Sequence, residues 1–77
     1  MNIAIKYFGS IAEVTNRNEE VIIFSGNTIV ELLELLNTKY PNLKNINFQV
    51  AQNQELVSFE DEITGEEIAL LPPFAGG

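Results

Sequence analysis

Two glycines, Gly76 and Gly77, close the sequence directly after an apolar run at residues 70–75. Glycine has no Cβ and adopts nearly any φ and ψ, so a Gly-Gly end is slim enough to enter a narrow enzyme channel with its carboxylate first. Pro72 and Pro73 hold the preceding backbone extended, because their rings fix φ near −65°. At ~3.3–3.6 Å per residue, residues 72–77 reach roughly 20 Å. A frayed end or a cloning remnant is the alternative, but such tails are normally polar.

The composition excludes several classes of chemistry. The 77 residues include no cysteine and no histidine, which removes disulfides, thiolate metal sites and histidine-based nucleophile pairs. Four basic against eleven acidic residues give a net charge of −7. This charge disfavours nucleic acid, whose phosphates need Lys or Arg, and favours a basic protein surface as partner. The sequence has neither an apolar run of ~20 residues nor a basic leader, so we expect a cytoplasmic protein that binds no membrane.

Few other side chains are candidates for chemistry. Glu60, Asp61 and Glu62 form a carboxylate cluster, but such loops are usually solvated and the spacing of a calcium loop is missing. Ser58 and Thr64 have no base to activate them. We therefore predict no metal site and no nucleophile in this chain.

The elements that must position the terminus follow from periodicity. Residues 1–8 alternate as a strand, in which Ile3, Ile5 and Tyr7 share one face and Phe8 lies on the other. A second strand at 21–24 is expected to pair with the first as a hairpin. The remaining predicted elements are a helical turn at 11–14, a helix from 29 to 39 or 40, and strands at 48–51, 55–57 and 67–71.

The central helix has the clearest boundaries. Thr28 and Glu31 match a Thr-x-x-Glu capping box at its start, and Pro41 ends it. Its predicted buried stripe consists of Ile29, Leu32, Leu33 and Leu36, widened by Leu35 and extended by Tyr40. The order ββαβββ predicts an α+β fold in which one mixed sheet covers one helix, with the last strand inside the sheet. We expect one domain over residues 1–77, with a flexible tail at 72–77.

Three segments carry a resemblance to a known family: Leu-Val-Ser-Phe at 56–59, Thr-Gly-Glu-Glu-Ile-Ala at 64–69, and Leu-Pro-Pro-Phe-Ala-Gly-Gly at 71–77. Together they resemble the small, sulfur-carrier subunit of molybdopterin synthase. The pattern Ile-Lys-Tyr-Phe at 5–8 is also similar to that family. The resemblance implies a β-grasp, ubiquitin-like fold, which agrees with the ββαβββ order.

The resemblance also implies a function. An ATP-dependent, E1-like enzyme would adenylate the Gly77 carboxylate, which would then be converted to a thiocarboxylate. The tail would enter the large subunit of the synthase and donate sulfur to cyclic pyranopterin monophosphate, forming the dithiolene in molybdenum cofactor biosynthesis. This chain would then be a non-catalytic subunit of a heterotetramer of two small and two large subunits. It would bind no cofactor itself, because ATP is used by the activating enzyme.

Particular residues match the contact surface of that family. Phe8, Leu56 and Leu71 would form an exposed apolar patch beside the tail, Phe74 would anchor the tail on a partner, and Gly76 would let it thread. Ordinary core packing is the alternative for each of these apolar residues. The strand alternation supports an outward direction for Phe8.

Three other functions remain open for the same sequence. The first is a sulfur carrier for thiamine thiazole synthesis or another thiolation pathway. The second is a ubiquitin-like modifier joined to lysines through its Gly-Gly end. The third is an interaction module whose tail is inert.

Overall fold

Five strands and two α-helices make up the part of the chain that the computed structural model describes, residues 1–64 and 67–73. In chain order they are β1 (Asn2–Tyr7), α1 (Ser10–Thr15), β2 (Glu19–Ile23), α2 (Ile29–Lys39), β3 (Gln49–Gln52), β4 (Glu55–Val57) and β5 (Glu67–Leu71), with a 3₁₀ helix, Pro41–Asn45, after α2. This order confirms the predicted α+β class and the strand order ββαβββ around the main helix.

All five strands lie in one mixed sheet in the order β2-β1-β5-β3-β4. The last strand, β5, occupies the centre, parallel to β1 and antiparallel to β3, as the sequence predicted. β1 and β2 pair antiparallel, although α1 joins them instead of a tight turn. The predicted turn at residues 64–66 lies partly outside the described residues.

The alternation along β1 decides which face of the sheet is covered. Ile3, Ile5 and Tyr7 are almost fully buried, because this face packs against α2. Phe8 follows the strand on the opposite face and is 45% exposed. Side chains on the other face of the sheet, including those near the end of β5, are therefore not covered by α2.

Helix α2 buries the predicted stripe of Ile29, Leu32, Leu33 and Leu36. Leu43 in the 3₁₀ helix is also buried, and Tyr40 packs against the same core. The prediction that Leu35 widens the stripe was wrong, since Leu35 is 36% exposed. At 100° per residue, Leu35 points roughly 110° away from the centre of the stripe, too far round the helix to reach the sheet.

The start of α2 has the predicted capping box. The Thr28 hydroxyl accepts a hydrogen bond from the Glu31 amide at 3.4 Å, and the Glu31 carboxylate accepts one from the Thr28 amide at 3.0 Å. Backbone hydrogen bonds from Asn27 and Thr28 lower the pKa of Glu31. The box thus satisfies backbone groups that a helix start leaves without partners.

The acidic loop at residues 58–62 completes this cap. The amides of Ile29 and Val30 donate to the carbonyl oxygens of Asp61 and Phe59 at 3.0 and 2.9 Å. The side chains of the predicted carboxylate cluster are exposed there, near the positive end of the helix dipole, where carboxylates are stabilising. The loop, read from the sequence as a solvated connection, therefore also holds the helix start in place.

Replacing Thr28 with alanine is expected to lower the free energy of unfolding by about 1 kcal/mol, the usual cost of losing a capping hydroxyl. Thr28→Ser is the matched control, because it keeps the hydroxyl and should lie close to wild type. Urea unfolding followed by circular dichroism measures both. Equal stability of the alanine and serine variants would show that the acidic loop alone caps the helix.

Neither α-helix in the described ranges combines the length and the apolar character needed to cross a membrane.

Candidate functional site

The tail leaves the molecule from the middle of the sheet. β5 is held on both sides, and the Phe8 amide donates to the Leu70 carbonyl at 3.1 Å. The pairing of β1 with β5 therefore continues beyond the end of β1. Pro72 and Pro73, the two residues that follow β5, are exposed. The tail thus begins from one of the most constrained points in the sheet.

A shallow pocket of about 310 Å³ lies beside this exit on the open face of the sheet. Phe8 and Leu71 form part of its wall, and Leu71 is half-buried. Its other lining residues are Lys6, Ala51, Gln54, Glu67 and Ala69. The structure therefore brings together two of the three predicted patch residues directly at the root of the tail.

Leu56 lies on the same face but outside this pocket. It pairs with Ala51, which in turn pairs with Ala69 on β5. Two strand spacings of about 4.8 Å separate Leu56 from β5. Leu56 is 55% exposed and lines a neighbouring hollow of about 200 Å³ with Phe48 and Phe59. We call Phe8, Leu56 and Leu71 the apolar patch, which spans two adjacent hollows.

The polar groups of the patch are few. Lys6 and Glu67 form an ion pair at 3.2 Å, each side chain 40% exposed, so screening by water keeps its energy small. Gln49 pairs with Leu71 across the sheet. Within the described ranges, its Oε1 is buried and accepts no hydrogen bond. Buried acceptors are usually satisfied, so this oxygen is an exception within the described residues.

Gly9, which lies between β1 and α1, also belongs to this site. Its φ is +57° and its ψ −131°, a conformation that L side chains rarely adopt. A Cβ at this position would lie 2.6 Å from Cγ of Pro72. Proximity in sequence cannot reveal this contact, but a glycine placed directly between a strand and a helix was a signal for it.

The strongest electrostatic cluster lies on the helix-facing side of the sheet. The Glu20 carboxylate accepts hydrogen bonds from the hydroxyls of Tyr7 and Tyr40 and from Lys39 Nζ, each at 2.6 Å. Burial opposes ionisation of Glu20, but these three bonds outweigh it and lower the pKa of Glu20 to about 2. Burial, followed by the bond to Glu20, raises the pKa of Tyr7.

This cluster joins β1, β2 and the end of α2. Within residues 1–64 and 67–73, no three His, Cys, Asp or Glu side chains are grouped so that they could hold a metal ion. The predicted tail residues Phe74, Gly76 and Gly77 lie outside the described residues. What the described residues supply is a constrained exit with an apolar patch beside it.

A family model described as the ThiS family matches residues 5–77 of the chain. Among characterised proteins, the chain is 30% identical to the human "Molybdopterin synthase sulfur carrier subunit", over 97% of this chain and 93% of the human protein. The similarity thus includes both the sheet and the tail.

Two solved structures show the same fold. The crystal structure of small archaeal modifier protein 1 from Haloferax volcanii has a TM-score of 0.78 and 25% identity, covering 95% of this chain and 98% of that one. A complex of subunits 1 and 2 of the molybdopterin-converting factor from Helicobacter pylori 26695 contains a chain with a TM-score of 0.68 and 25% identity, with full coverage of both chains. Relatives with this fold therefore include a protein modifier and a chain that is part of a two-subunit complex.

Proposed function

This chain belongs to the ThiS family, and we propose that it is a sulfur carrier that acts as the small subunit of a molybdopterin synthase. The observation that carries the proposal is the likeness to the human sulfur carrier subunit along almost the whole chain. In this proposal the chain performs no catalysis alone. Its folded part docks on two partners in turn, an adenylating enzyme and the large synthase subunit.

The chemistry is assigned to the Gly77 carboxylate. At pH 7 an α-carboxylate, with a pKa of about 3.5, is an anion and a poor electrophile. In the proposed first step, its oxygen attacks the α-phosphate of ATP and pyrophosphate leaves, which forms an acyl adenylate. Hydrosulfide from the sulfur donor then attacks the acyl carbon and AMP leaves, which produces the thiocarboxylate. In the large subunit, this sulfur forms a bond to cyclic pyranopterin monophosphate, and water replaces it on the acyl carbon, which restores the Gly77 carboxylate.

The described geometry supports the docking part of the proposal. Phe8 and Leu56 are 45% and 55% exposed on the open face of the sheet, and apolar side chains grouped on one exposed face are typical of a docking surface. The net charge of −7 favours a partner surface that is basic around an apolar centre. Such a surface in the large subunit would also supply the cations that bind the phosphate of the pterin precursor.

Mass spectrometry of the intact protein tests the chemical part. After incubation with ATP, the adenylating enzyme and a sulfur donor, we expect a gain of about 16 Da on Gly77, the difference between oxygen and sulfur. The loaded chain, mixed with the large subunit and cyclic pyranopterin monophosphate, should then form the dithiolene. A mature chain that continues beyond Gly77, or sulfur transfer only in thiazole formation, would overturn the proposal.

A second candidate function is supported by the structural likeness to small archaeal modifier protein 1. A modifier would use the same activated Gly-Gly end but transfer it to a lysine amine. Isopeptide-linked adducts in protein isolated from cells would identify this function. A sulfur carrier should instead be recovered as the free acid and the thiocarboxylate.

The apolar patch leads to a prediction for Leu71. Replacing Leu71 with aspartate should weaken binding to the large subunit at least tenfold, since a buried leucine contributes roughly 1.5–3 kcal/mol and the carboxylate adds a desolvation cost. Val21→Asp is the matched control, because Val21 is exposed on β2, the edge strand that β1 separates from β5. Calorimetry measures both affinities. Equal weakening by the two variants would mean that added charge, and not the patch, decides binding.

A further inference from the structure

We propose that Gly9 is a positioning residue that clamps Pro72 and sets the direction in which the tail leaves the sheet. The inference rests on the proposed function for its consequence, but its geometry is independent of that function. It assigns a role to a residue at the end of β1, next to the strand from which the tail begins. The clamp consists of one backbone position and one proline ring.

The Pro72 ring fills the position that a side chain on Gly9 would occupy. The three atoms nearest to the position of a Cβ on Gly9 all belong to Pro72, at 2.6, 3.6 and 3.8 Å. Real Cβ contacts are essentially never shorter than 3.0 Å, so the ring occupies the space that any side chain at Gly9 would need. The positive φ of Gly9 separately disfavours an L side chain there.

Gly9 is itself held firmly, so it can serve as a support. The Phe8 carbonyl accepts a hydrogen bond from the Ile11 amide at 3.1 Å, and the Gly9 carbonyl accepts one from Glu13 at 3.3 Å. Ile11 is fully buried, and the Thr15 hydroxyl donates to its carbonyl at 3.0 Å. Short as it is, α1 therefore anchors Gly9 to the core by both its backbone and its apolar face.

Pro72 is equally restricted from its own side. Its ring fixes φ, and it follows directly on β5, which is paired on both sides. The contact between the Pro72 ring and Gly9 therefore restricts the remaining backbone rotation, about ψ, at the first residue of the tail. Without this contact, the first residue of the tail would be ordered only after docking, as the tail enters the active site. Ordering the backbone of one residue lowers the equilibrium constant of that entry step, and so the maximal rate, roughly five- to thirtyfold. The clamp makes this ordering part of folding, before any partner is bound.

Three single variants separate the contact from the stiffness of proline. Pro72→Ala removes the ring that rests on Gly9 and also the φ restraint. Pro73→Ala is the matched control, because it makes the same chemical change one residue later. Gly9→Val keeps both prolines but places a branched side chain in the space of the Pro72 ring. The double variant Gly9→Val/Pro72→Ala completes a cycle that measures the coupling between the two positions.

ATP–pyrophosphate exchange catalysed by the adenylating enzyme, with each purified chain as the variable substrate, is the functional measurement. We expect Pro72→Ala and Gly9→Val to lower the maximal exchange rate five- to thirtyfold with less than a twofold change in the half-saturating concentration. Pro73→Ala should lose no more than about fivefold, the range for losing one proline restraint. The double variant should lose no more than the worse single variant. Equal losses for the two proline variants, or a folded Gly9→Val chain with the wild-type rate, would overturn the proposal.

A structural readout keeps this test separate from the proposed function. In the wild-type chain, NMR should show a nuclear Overhauser effect between the Gly9 Hα and Pro72 Hγ protons. Failure of the wild-type chain to support any exchange would refute the sulfur-carrier proposal and leave the clamp intact. Absence of the Gly9–Pro72 effect would refute the clamp alone. Thermal unfolding of each variant identifies losses that come from unfolding.

Discussion

Replacing Gly76 with valine is expected to reduce loading of the terminus at least a hundredfold while the midpoint of thermal unfolding stays at the wild-type value. The residue lies beyond β5, so no hydrogen bond of the described sheet depends on it. A branched side chain would crowd the acyl carbon at the moment when sulfur must displace AMP, and it would restrict φ and ψ in any narrow channel. A misplacement of about 1 Å at a reacting centre is enough for a loss of this size.

The measurement is the fraction of chain that gains 16 Da after incubation with ATP, the adenylating enzyme and the sulfur donor. Ala75→Val is the matched control, since it adds the same branched group one residue earlier, where a Cβ already exists. We expect this control to load within tenfold of wild type. Normal loading of Gly76→Val would show that the terminus does not pass through a narrow site, and the threading proposal would then be wrong.

Local sequence was sufficient for the elements that determine the site. A capping box at Thr28 followed by a period of 3.6 residues defined α2, because both signals depend on residues within one or two turns. The alternation in β1 correctly placed Phe8 on the face opposite to Ile5. These patterns follow from backbone geometry, which does not depend on the rest of the fold.

Contacts between distant segments could not be obtained in the same way. The second strand was predicted to begin at Val21, because carboxylates are rare in strands. In the structure, β2 begins at Glu19. The partners of Glu20 lie 13 to 20 residues away, and they are what make a carboxylate acceptable there. Gly9 and Pro72 are likewise far apart in the chain and adjacent only once β1 and β5 have paired.

Substitution of Glu20 is expected to cost far more stability than the loss of an ordinary surface charge. Its pKa falls from an ordinary value of 4.5 to about 2, and its side chain is only 7% exposed. A shift of that size corresponds to roughly 3 kcal/mol of stability from the ionised form. The ion pair with Lys39 alone cannot supply this, because the lysine side chain is 44% exposed and such pairs contribute at most about 1 kcal/mol. The two tyrosine hydroxyls must supply most of the rest.

We therefore expect Glu20→Gln to lower the free energy of unfolding by roughly 3 kcal/mol at pH 7, while Lys39→Met, the control that keeps both hydroxyl bonds, loses less than about 1 kcal/mol. The folded pKa of Glu20 lies below the unfolded value, so its contribution is complete above about pH 4.5 and is lost as the pH falls towards 2. Urea unfolding of wild type and Glu20→Gln at a series of pH values measures the difference, in which the titration of the other carboxylates largely cancels. A stability difference that stays constant between pH 6 and pH 2.5 would contradict the assignment to the ionised Glu20 carboxylate. A loss for Lys39→Met as large as that for Glu20→Gln would contradict the role given to the tyrosine hydroxyls.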